Sequence, residues 1–306
     1  MKPGNTRVLI VALAANLGIA IAKFGAAALT GSSAMLTEGV HSLVDSTNQL
    51  LLLYGQKRSV KAPDSRHPGG YGRELYFWSF VVALLVFALG AGVSVYEGIL
   101  HMLDPEPAAD PLIAYGVLLV AFVLEGGSTF AAFKEFDGAR QGKSWWQALT
   151  GTKDATLVIV LLENGAAMAG LVVAGVGLAL AQVTGNPHFD GAASIVIGLL
   201  LGMVAIFLAR EAKGLLIGEA ADPALVMGLR EAASRAGVMR VGEVITVHNA
   251  PDQIVAAMSV DFDNRISAGE VERIIAAIEA DVGKQFPAVT RLYIRPVEIE
   301  PGSLRR

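Results

Sequence analysis

The chain has 306 residues, of which 53% are hydrophobic and 17% are charged, and its mean hydropathy is +0.53. This composition is typical of an integral membrane protein. The formal net charge of −4 gives no reason to expect nucleic-acid binding. Because the chain has no cysteine, disulfides, thiolate metal sites and cysteine nucleophiles are excluded.

Six apolar segments are long enough to cross a bilayer, which takes about 20 residues each. They are residues 8–29, 34–54, 75–100, 112–133, 155–183 and 189–209. The polar N-terminal stretch is short and leads directly into the first segment. We therefore expect a first membrane helix there rather than a cleaved signal peptide.

The basic residues between these segments are distributed unevenly. Lys and Arg occur before the first segment, between the second and third, and between the fourth and fifth. The other connections, near residues 30–33, 101–111 and 184–188, contain none. By the positive-inside rule both termini are cytoplasmic. We expect a multi-pass protein of the bacterial inner membrane.

The character of the chain changes after Arg210, where a charged tail of domain size follows. Asp222 and Pro223 are typical of an N-cap and a first helical residue, and Ser267 and Glu270 have capping-box spacing before a second helix. Apolar and polar residues alternate as in strands at residues 241–247, 254–261 and 289–299.

These patterns predict an α-helical membrane protein with six transmembrane helices and a small cytoplasmic α+β domain of αββαβ order. We place the transmembrane domain at residues 1–215 and the cytoplasmic domain at residues 216–306.

The second segment contains three ionisable residues, Glu38, His41 and Asp45, at helical i, i+3, i+7 spacing. Such groups are costly in hydrocarbon unless they face a partner, a polar cavity or an ion. His41 and Asp45 are one turn apart and share a helix face. This nitrogen–oxygen pair suits zinc, manganese, iron or cobalt. The alternative is a polar pair that only bonds neighbouring helices.

Most other segments also contain polar residues, which is typical of a path for a cation or protons rather than of a passive anchor. These residues are Asn16, Lys23, Asn48, Glu97, Glu125, Ser128, Glu163 and Asn164. Two simpler interpretations remain open. Asn16, Asn48 and Ser128 are suited to interhelical hydrogen bonds. Lys23 and Glu97 are suited to opposite membrane interfaces.

Several motifs together resemble the cation diffusion facilitator family. They are LTGSSAML and EGVHSLVD within residues 29–45, GYGRE and YFW within 70–78, LEN at 162–164 and LLIGE at 215–219. The chain is most similar to the subgroup with a GYGRE-YFW loop and an LLE(D/N)-AA fifth helix. The resemblance implies a homodimer in the lipid bilayer that exports divalent metal from the cytoplasm in exchange for protons. It implies a transporter rather than an enzyme, with no cofactor besides the transported metal.

In this family a pair of ligands on the second helix joins an HxxxD pair on the fifth. His41 and Asp45 match the first pair, whereas Asn164 stands at the Asp position of the second and Val160 at the His position. Asn164 offers an amide oxygen, and Glu163 beside it offers a carboxylate about 100° round the helix. The resemblance thus implies His41, Asp45, Asn164 and Glu163 as metal ligands.

This departure from the pattern has a chemical consequence. Oxygen-rich coordination shifts the preference towards manganese or iron without excluding zinc. His41 is the natural proton partner, because a metal requires neutral imidazole and unperturbed imidazole titrates at about pH 6.5.

In two further regions, relatives in the family carry metal ligands. Asp64, His67 and Tyr71 lie where some relatives carry Asp, His and His, so the loop is either a second metal site or a structural loop with HP and GYG turns. In the tail, Met258 and Arg295 stand at ligand positions. We expect no metal cluster there and a domain that acts in dimerisation.

Two other classes of function stay open. One is a membrane-embedded metal-dependent hydrolase that uses His41 and Asp45 to activate water, although the chain lacks a motif such as HExxH. The other is a non-transporting scaffold or regulator of the same family, which the Val160 and Asn164 departures make plausible. Metal flux in sealed vesicles distinguishes the three.

The predicted topology can be tested by cysteine labelling, since the natural chain has none. A cysteine at Ser303 should resist a membrane-impermeant thiol reagent added to intact cells, because the positive-inside rule places it in the cytoplasm. A cysteine at Asn186, in a connection free of Lys and Arg, should be labelled. Efficient labelling at position 303 and protection at position 186 would reverse the topology.

Overall fold

The structure is a computed structural model that describes residues 3–105, 111–140 and 142–299, with only the backbone for residues 3–12, 14, 15 and 111. The chain forms two compact units. The first contains the described residues up to Lys57 together with Glu74–Lys213. The second contains Arg58–Arg73 and the described residues from Gly214 onward.

Helices make up the first unit, and each predicted membrane segment lies within one of them. They are α1 (Pro3–Thr30), α2 (Ser33–Ser59), α3 (Glu74–Leu103, with a π-helical segment at Val86–Ala91), α4 (Pro111–Ala139), α5 (Trp145–Gly151), α6 (Ala155–Thr184) and α7 (His188–Ile217).

Among the described residues, four helices are long and apolar enough to cross a membrane: α3, α4, α6 and α7. Within the residues described, α1 adds the shorter apolar stretch Asn16–Thr30. The 27-residue helix α2 has the necessary length, but its many polar side chains lower its hydropathy. The structure thus supports a mostly helical membrane protein, and the count of six spans stays a prediction.

The helix α5 was not predicted, since its sequence reads as part of a basic connection. Ser144 caps its N-terminus by accepting a hydrogen bond from the Gln147 N–H, and the Gln147 side chain accepts one from the Ser144 N–H. The Trp145 ring stacks on Phe133 and Phe136 of α4, with centroid distances of 4.8 and 5.4 Å. A helix of seven residues is too short to show a clear hydrophobic periodicity in the sequence. Tertiary contacts stabilise such a short helix.

Small residues and one carboxylate hold α2, α6 and α7 together. A Cβ on Gly177 of α6 would lie 2.4 Å from the Cβ of Ala193, so only glycine allows this approach to α7. Asp190 of α7 accepts hydrogen bonds from the Ser32 hydroxyl and the Ala34 N–H at 2.8 and 3.3 Å. The beginning of α2 is thereby fixed against α7.

The second unit has the predicted αββαβ order. Its elements are α8 (Pro223–Ala233), β1 (Val238–Ala250), β2 (Gln253–Phe262), α9 (Ala268–Gln285) and β3 (Val289–Pro296). The strand order is β1-β2-β3, with β1 antiparallel and β3 parallel to β2. Both predicted caps form, because Asp222 accepts from the Ala224 N–H and Ser267 from the Glu270 N–H.

A core between the helices and the sheet stabilises this unit. Leu229 of α8, Val260 of β2 and Ile278 of α9 are fully buried in it. Burying such a side chain contributes about 1.5–3 kcal/mol relative to its exposure.

The loop Arg58–Arg73 belongs to the second unit and packs on the tail. The Arg291 guanidinium donates to the Pro68 carbonyl at 2.8 Å, and Arg73 Nε donates to Asn249 Oδ1 at 3.2 Å. A Cβ on Gly72 would lie 2.6 Å from the Asn249 carbonyl oxygen. The close approach of two backbones therefore requires glycine at position 72.

This contact predicts that Gly72→Ala loosens the loop. The clash is with backbone and should cost about 1–3 kcal/mol. In the solubilised full chain, trypsin should then cut after Lys61 and Arg66 at least about fivefold faster, because cleavage follows the population of the opened form.

The matched control is Gly69→Ala in the same loop. A Cβ there meets nothing nearer than Asn249 Nδ2 at 3.9 Å, so cleavage should keep its wild-type rate. Equal rates for both variants would contradict the packing described.

Candidate metal site

A cavity of about 20 Å³ lies within the first unit, where α1, α2, α4 and α6 meet. A volume above about 10–15 Å³ accommodates a water molecule, so this cavity suits one small ion or water. Most of its lining residues are polar. They are Asn16, Ile19, Ser42, Asp45, Glu125, Ser128, Asn164 and Ala167.

His41 and Asp45 lie together, as their spacing predicts. His41 Nδ1 is 3.5 Å from Asp45 Oδ1, and the imidazole is 1% exposed. Within the described part of the chain, the two ring nitrogens of His41 have no hydrogen-bond partner, and Asp45 Oδ1 has none either. Asp45 lines the cavity, whereas His41 contacts Asp45 and does not line the cavity itself. The described contacts thus give no support to the alternative that this pair only bonds neighbouring helices.

Asn164 and Glu163 point to different neighbours. Asn164 lines the cavity, as Asp45 does, and its amide donates to the Ser128 hydroxyl at 3.1 Å. Glu163 is buried away from the cavity lining, and its Oε1 accepts a hydrogen bond from the Asn48 amide at 2.7 Å. Adjacent residues of a helix diverge by about 100°, which explains the separation.

A buried lysine beside the cavity joins three helices, and this network was missed by sequence reasoning. Lys23 Nζ donates to Glu38 Oε2 at 2.9 Å, to the Ser42 hydroxyl at 2.8 Å and to Glu125 Oε1 at 2.8 Å. Lys23 is fully buried among these partners, which contradicts a side chain that snorkels into solvent. The sequence signal that could have revealed the network is the lysine itself, since an ammonium buried in an apolar interior requires a carboxylate partner.

The ionisable residues do not form a ready-made cluster. Over residues 3–105, 111–140 and 142–299, no three His, Asp or Glu side chains are grouped so that they could hold a metal ion. A site at the cavity therefore has to draw on the neutral oxygen of Asn164 or on movement of a neighbouring carboxylate.

The loop residues Asp64, His67 and Tyr71 form a hydrogen-bonded turn. Asp64 accepts from the Tyr71 hydroxyl at 2.7 Å, from Lys61 Nζ at 3.1 Å and from the N–H groups of Arg66 and His67. These hydrogen bonds, above all the one from Tyr71, hold the pKa of Asp64 well below its usual range. The hydrogen bonds of Lys61 to Tyr71 and Asp64 raise the pKa of Lys61. These contacts favour a structural loop over a second metal site.

The two tail positions are occupied by residues with other contacts. Met258 is buried in the core of the second unit and pairs with Val244 and Ile294 across the sheet. Arg295 donates to the Ser259 hydroxyl at 3.3 Å. A guanidinium stays protonated and does not coordinate metal.

Comparison with known proteins matches this chain to the family described as "Cation efflux transmembrane domain", over residues 9–217. A human mitochondrial proton-coupled zinc antiporter is 33% identical over 266 residues, which are 86% of this chain and 47% of that protein. A metal tolerance protein of Arabidopsis thaliana is 38% identical over 220 residues, 71% of this chain and 48% of that protein. The chain thus spans about half the length of these relatives.

A manganese efflux system protein of Bacillus subtilis is 24% identical over 299 residues, which are 95% of both chains. The names of these relatives describe metal transport or tolerance, with zinc in one case and manganese in another.

Proposed function

We propose that this chain, which belongs to the cation efflux family, carries divalent metal cations out of the cytoplasm in exchange for protons. The observation that carries the proposal is the cavity that Asp45 and Asn164 both line, with the imidazole of His41 3.5 Å from Asp45. The relatives named for zinc antiport and manganese efflux support it.

The ligands we propose are His41, Asp45 and Asn164. They combine one nitrogen, one carboxylate and one amide oxygen. This ligand set can bind zinc, manganese, iron or cobalt, and its oxygen content favours manganese and iron. Glu163 was a further candidate from the sequence. It does not line the cavity, and its Oε1 accepts a hydrogen bond from the Asn48 amide, which supports a role outside the ligand set.

Proton coupling follows from the chemistry of His41. An imidazole binds metal only in its neutral form, so a proton and a metal ion exclude each other there. Metal arriving from the cytoplasm would displace the proton, and a proton from the other side would expel the metal. Access from each side in turn would complete the exchange, as in other secondary transporters.

The same proposal covers the arrangement in the membrane. Six spanning helices with both termini in the cytoplasm fit the distribution of Lys and Arg. The αββαβ unit would join two copies of the chain in a homodimer. The bacterial inner membrane is the location that we propose.

A scaffold or regulator of the same family is the second candidate. Val160 and Asn164 replace two ligands of the family pattern, which favours it. Such a protein would insert and fold but would move no metal.

Transport can be measured by uptake into proteoliposomes with a panel of Mn²⁺, Fe²⁺, Co²⁺, Zn²⁺ and Cd²⁺. Wild-type protein should take up at least one metal and move protons in the opposite direction. Asp45→Ala should reduce uptake to the level of protein-free vesicles, because it removes the carboxylate nearest His41.

Asp64→Ala is the matched control, since it removes a carboxylate from the hydrogen-bonded loop and should keep wild-type flux. Wild-type flux in Asp45→Ala would refute that ligand. A folded wild-type protein that moves none of the five metals would favour the scaffold.

The different directions of Asn164 and Glu163 give a second test, by metal affinity in detergent. Asn164→Asp adds a charge at the cavity and should tighten binding of divalent cations on the order of tenfold, with slower release. Glu163→Gln keeps an oxygen that accepts from Asn48, so affinity should change little. The opposite pattern, with Glu163→Gln abolishing binding and Asn164→Asp without effect, would assign the ligand to Glu163.

A further inference from the structure

Glu125 of α4 has one carboxylate oxygen engaged and one free for a ligand. Its Oε1 accepts a hydrogen bond from Lys23 Nζ at 2.8 Å. Its Oε2 is buried and has no hydrogen-bond partner among the described residues. Glu125 and Asp45 both line the cavity, and Asp45 Oδ1 is likewise buried and without a partner. The fully buried imidazole of His41 adjoins that same oxygen.

Lys23 fixes this arrangement. An ammonium has three N–H donors, and Lys23 uses them on Glu38, Ser42 and Glu125. It therefore has no donor left for Glu125 Oε2 or for the cavity.

The formal charges around the cavity favour a divalent guest. The two carboxylates that line the cavity, Asp45 and Glu125, carry two negative charges in their ionised forms, and the charges of Lys23 and Glu38 compensate each other. Two negative charges remain, and these are costly in a low-dielectric interior unless a cation compensates them.

We infer that Glu125 is a ligand of the transported cation through Oε2, which reaches the cation when the carboxylate moves towards Asp45, and that Lys23, bonded to Oε1, is the positioning residue. The inference rests on the proposed function and extends its site to a third helix. Glu125 would supply the second carboxylate that Asn164 cannot. It also makes the site richer in oxygen, which favours a hard cation such as Mn²⁺.

A purely structural role is the competing explanation, because Lys23 joins α1, α2 and α4 through its ion pairs whether or not a metal binds. Glu38 separates the two explanations. It pairs with the same ammonium at nearly the same distance, yet it does not line the cavity. Glu38→Gln is therefore a matched control for Glu125→Gln.

The experiment is isothermal titration of the full-length protein in detergent with Mn²⁺ and with Zn²⁺. Glu125→Gln should raise the Kd for Mn²⁺ by about 10- to 100-fold, whereas Glu38→Gln should change it by less than about threefold. Glu125→Asp keeps the charge and serves if the glutamine variant does not fold. It should bind more weakly than wild type, because its carboxylate is one methylene shorter.

The role of Lys23 is tested by a double-mutant cycle, which measures coupling rather than stability. Lys23→Met should change the Kd for Mn²⁺ in the wild type, and this change should be absent when Glu125→Gln is present. Lys23→Arg should keep the Kd closer to the wild-type value, since it keeps the charge beside Glu125. Additive effects of Lys23→Met and Glu125→Gln would refute the positioning role.

Two results would overturn the assignment of Glu125. They are an unchanged Kd in Glu125→Gln and an equal rise in Kd for Glu38→Gln and Glu125→Gln. These titrations measure binding and not flux, so they are independent of the transport assay. A wild-type protein that binds Mn²⁺ through Glu125 but moves no metal in vesicles would refute the proposed function and keep Glu125 as a ligand.

Discussion

The arrangement of the first unit depends on the cost of a positive charge in an apolar interior. Lys23 is fully buried, and its ammonium contacts Glu38 and Ser42 on α2 and Glu125 on α4. A buried ion pair adds little net stability compared with apolar packing, but loss of one partner leaves an uncompensated charge. The positions of α1, α2 and α4 are therefore coupled, because the ammonium on α1 and the carboxylates on α2 and α4 would be unpaired buried charges if the helices separated.

The cavity shares residues with that network. Ser42 and Glu125 both contact Lys23, and both also line the cavity with Asp45. A cation entering the cavity would share Glu125 with the ammonium. Under the proposed site, binding of the cation and the packing of α1 against its neighbours would be physically linked, and a transporter needs such a link between its cargo and its helices.

The second unit is stabilised by an ordinary apolar core and by a loop that comes from far away in sequence. Arg291 contacts the Pro68 carbonyl across 223 residues of chain, and Gly72 approaches the backbone of Asn249. The conformation of the loop is thereby tied to β1 and β3. Asp64 and Tyr71 are engaged with each other inside this loop, so its turn residues serve its own structure.

The sequence by itself determined the features that depend on local order. Helical segments, the αββαβ order, the caps at Asp222 and Ser267, and the shared face of His41 and Asp45 all follow from periods of a few residues. The resemblance of the motifs, which the comparisons confirmed at the level of the family, follows from local order too. Only the tertiary structure decided which polar groups meet. Lys23 and Glu125 are 102 residues apart, Asn48 and Glu163 are 115 apart, and no period of the sequence relates them. Their pairing depends on how the helices are rotated and packed, which is set by close contacts such as that of Gly177 with Ala193 and by the requirement that buried charges find partners.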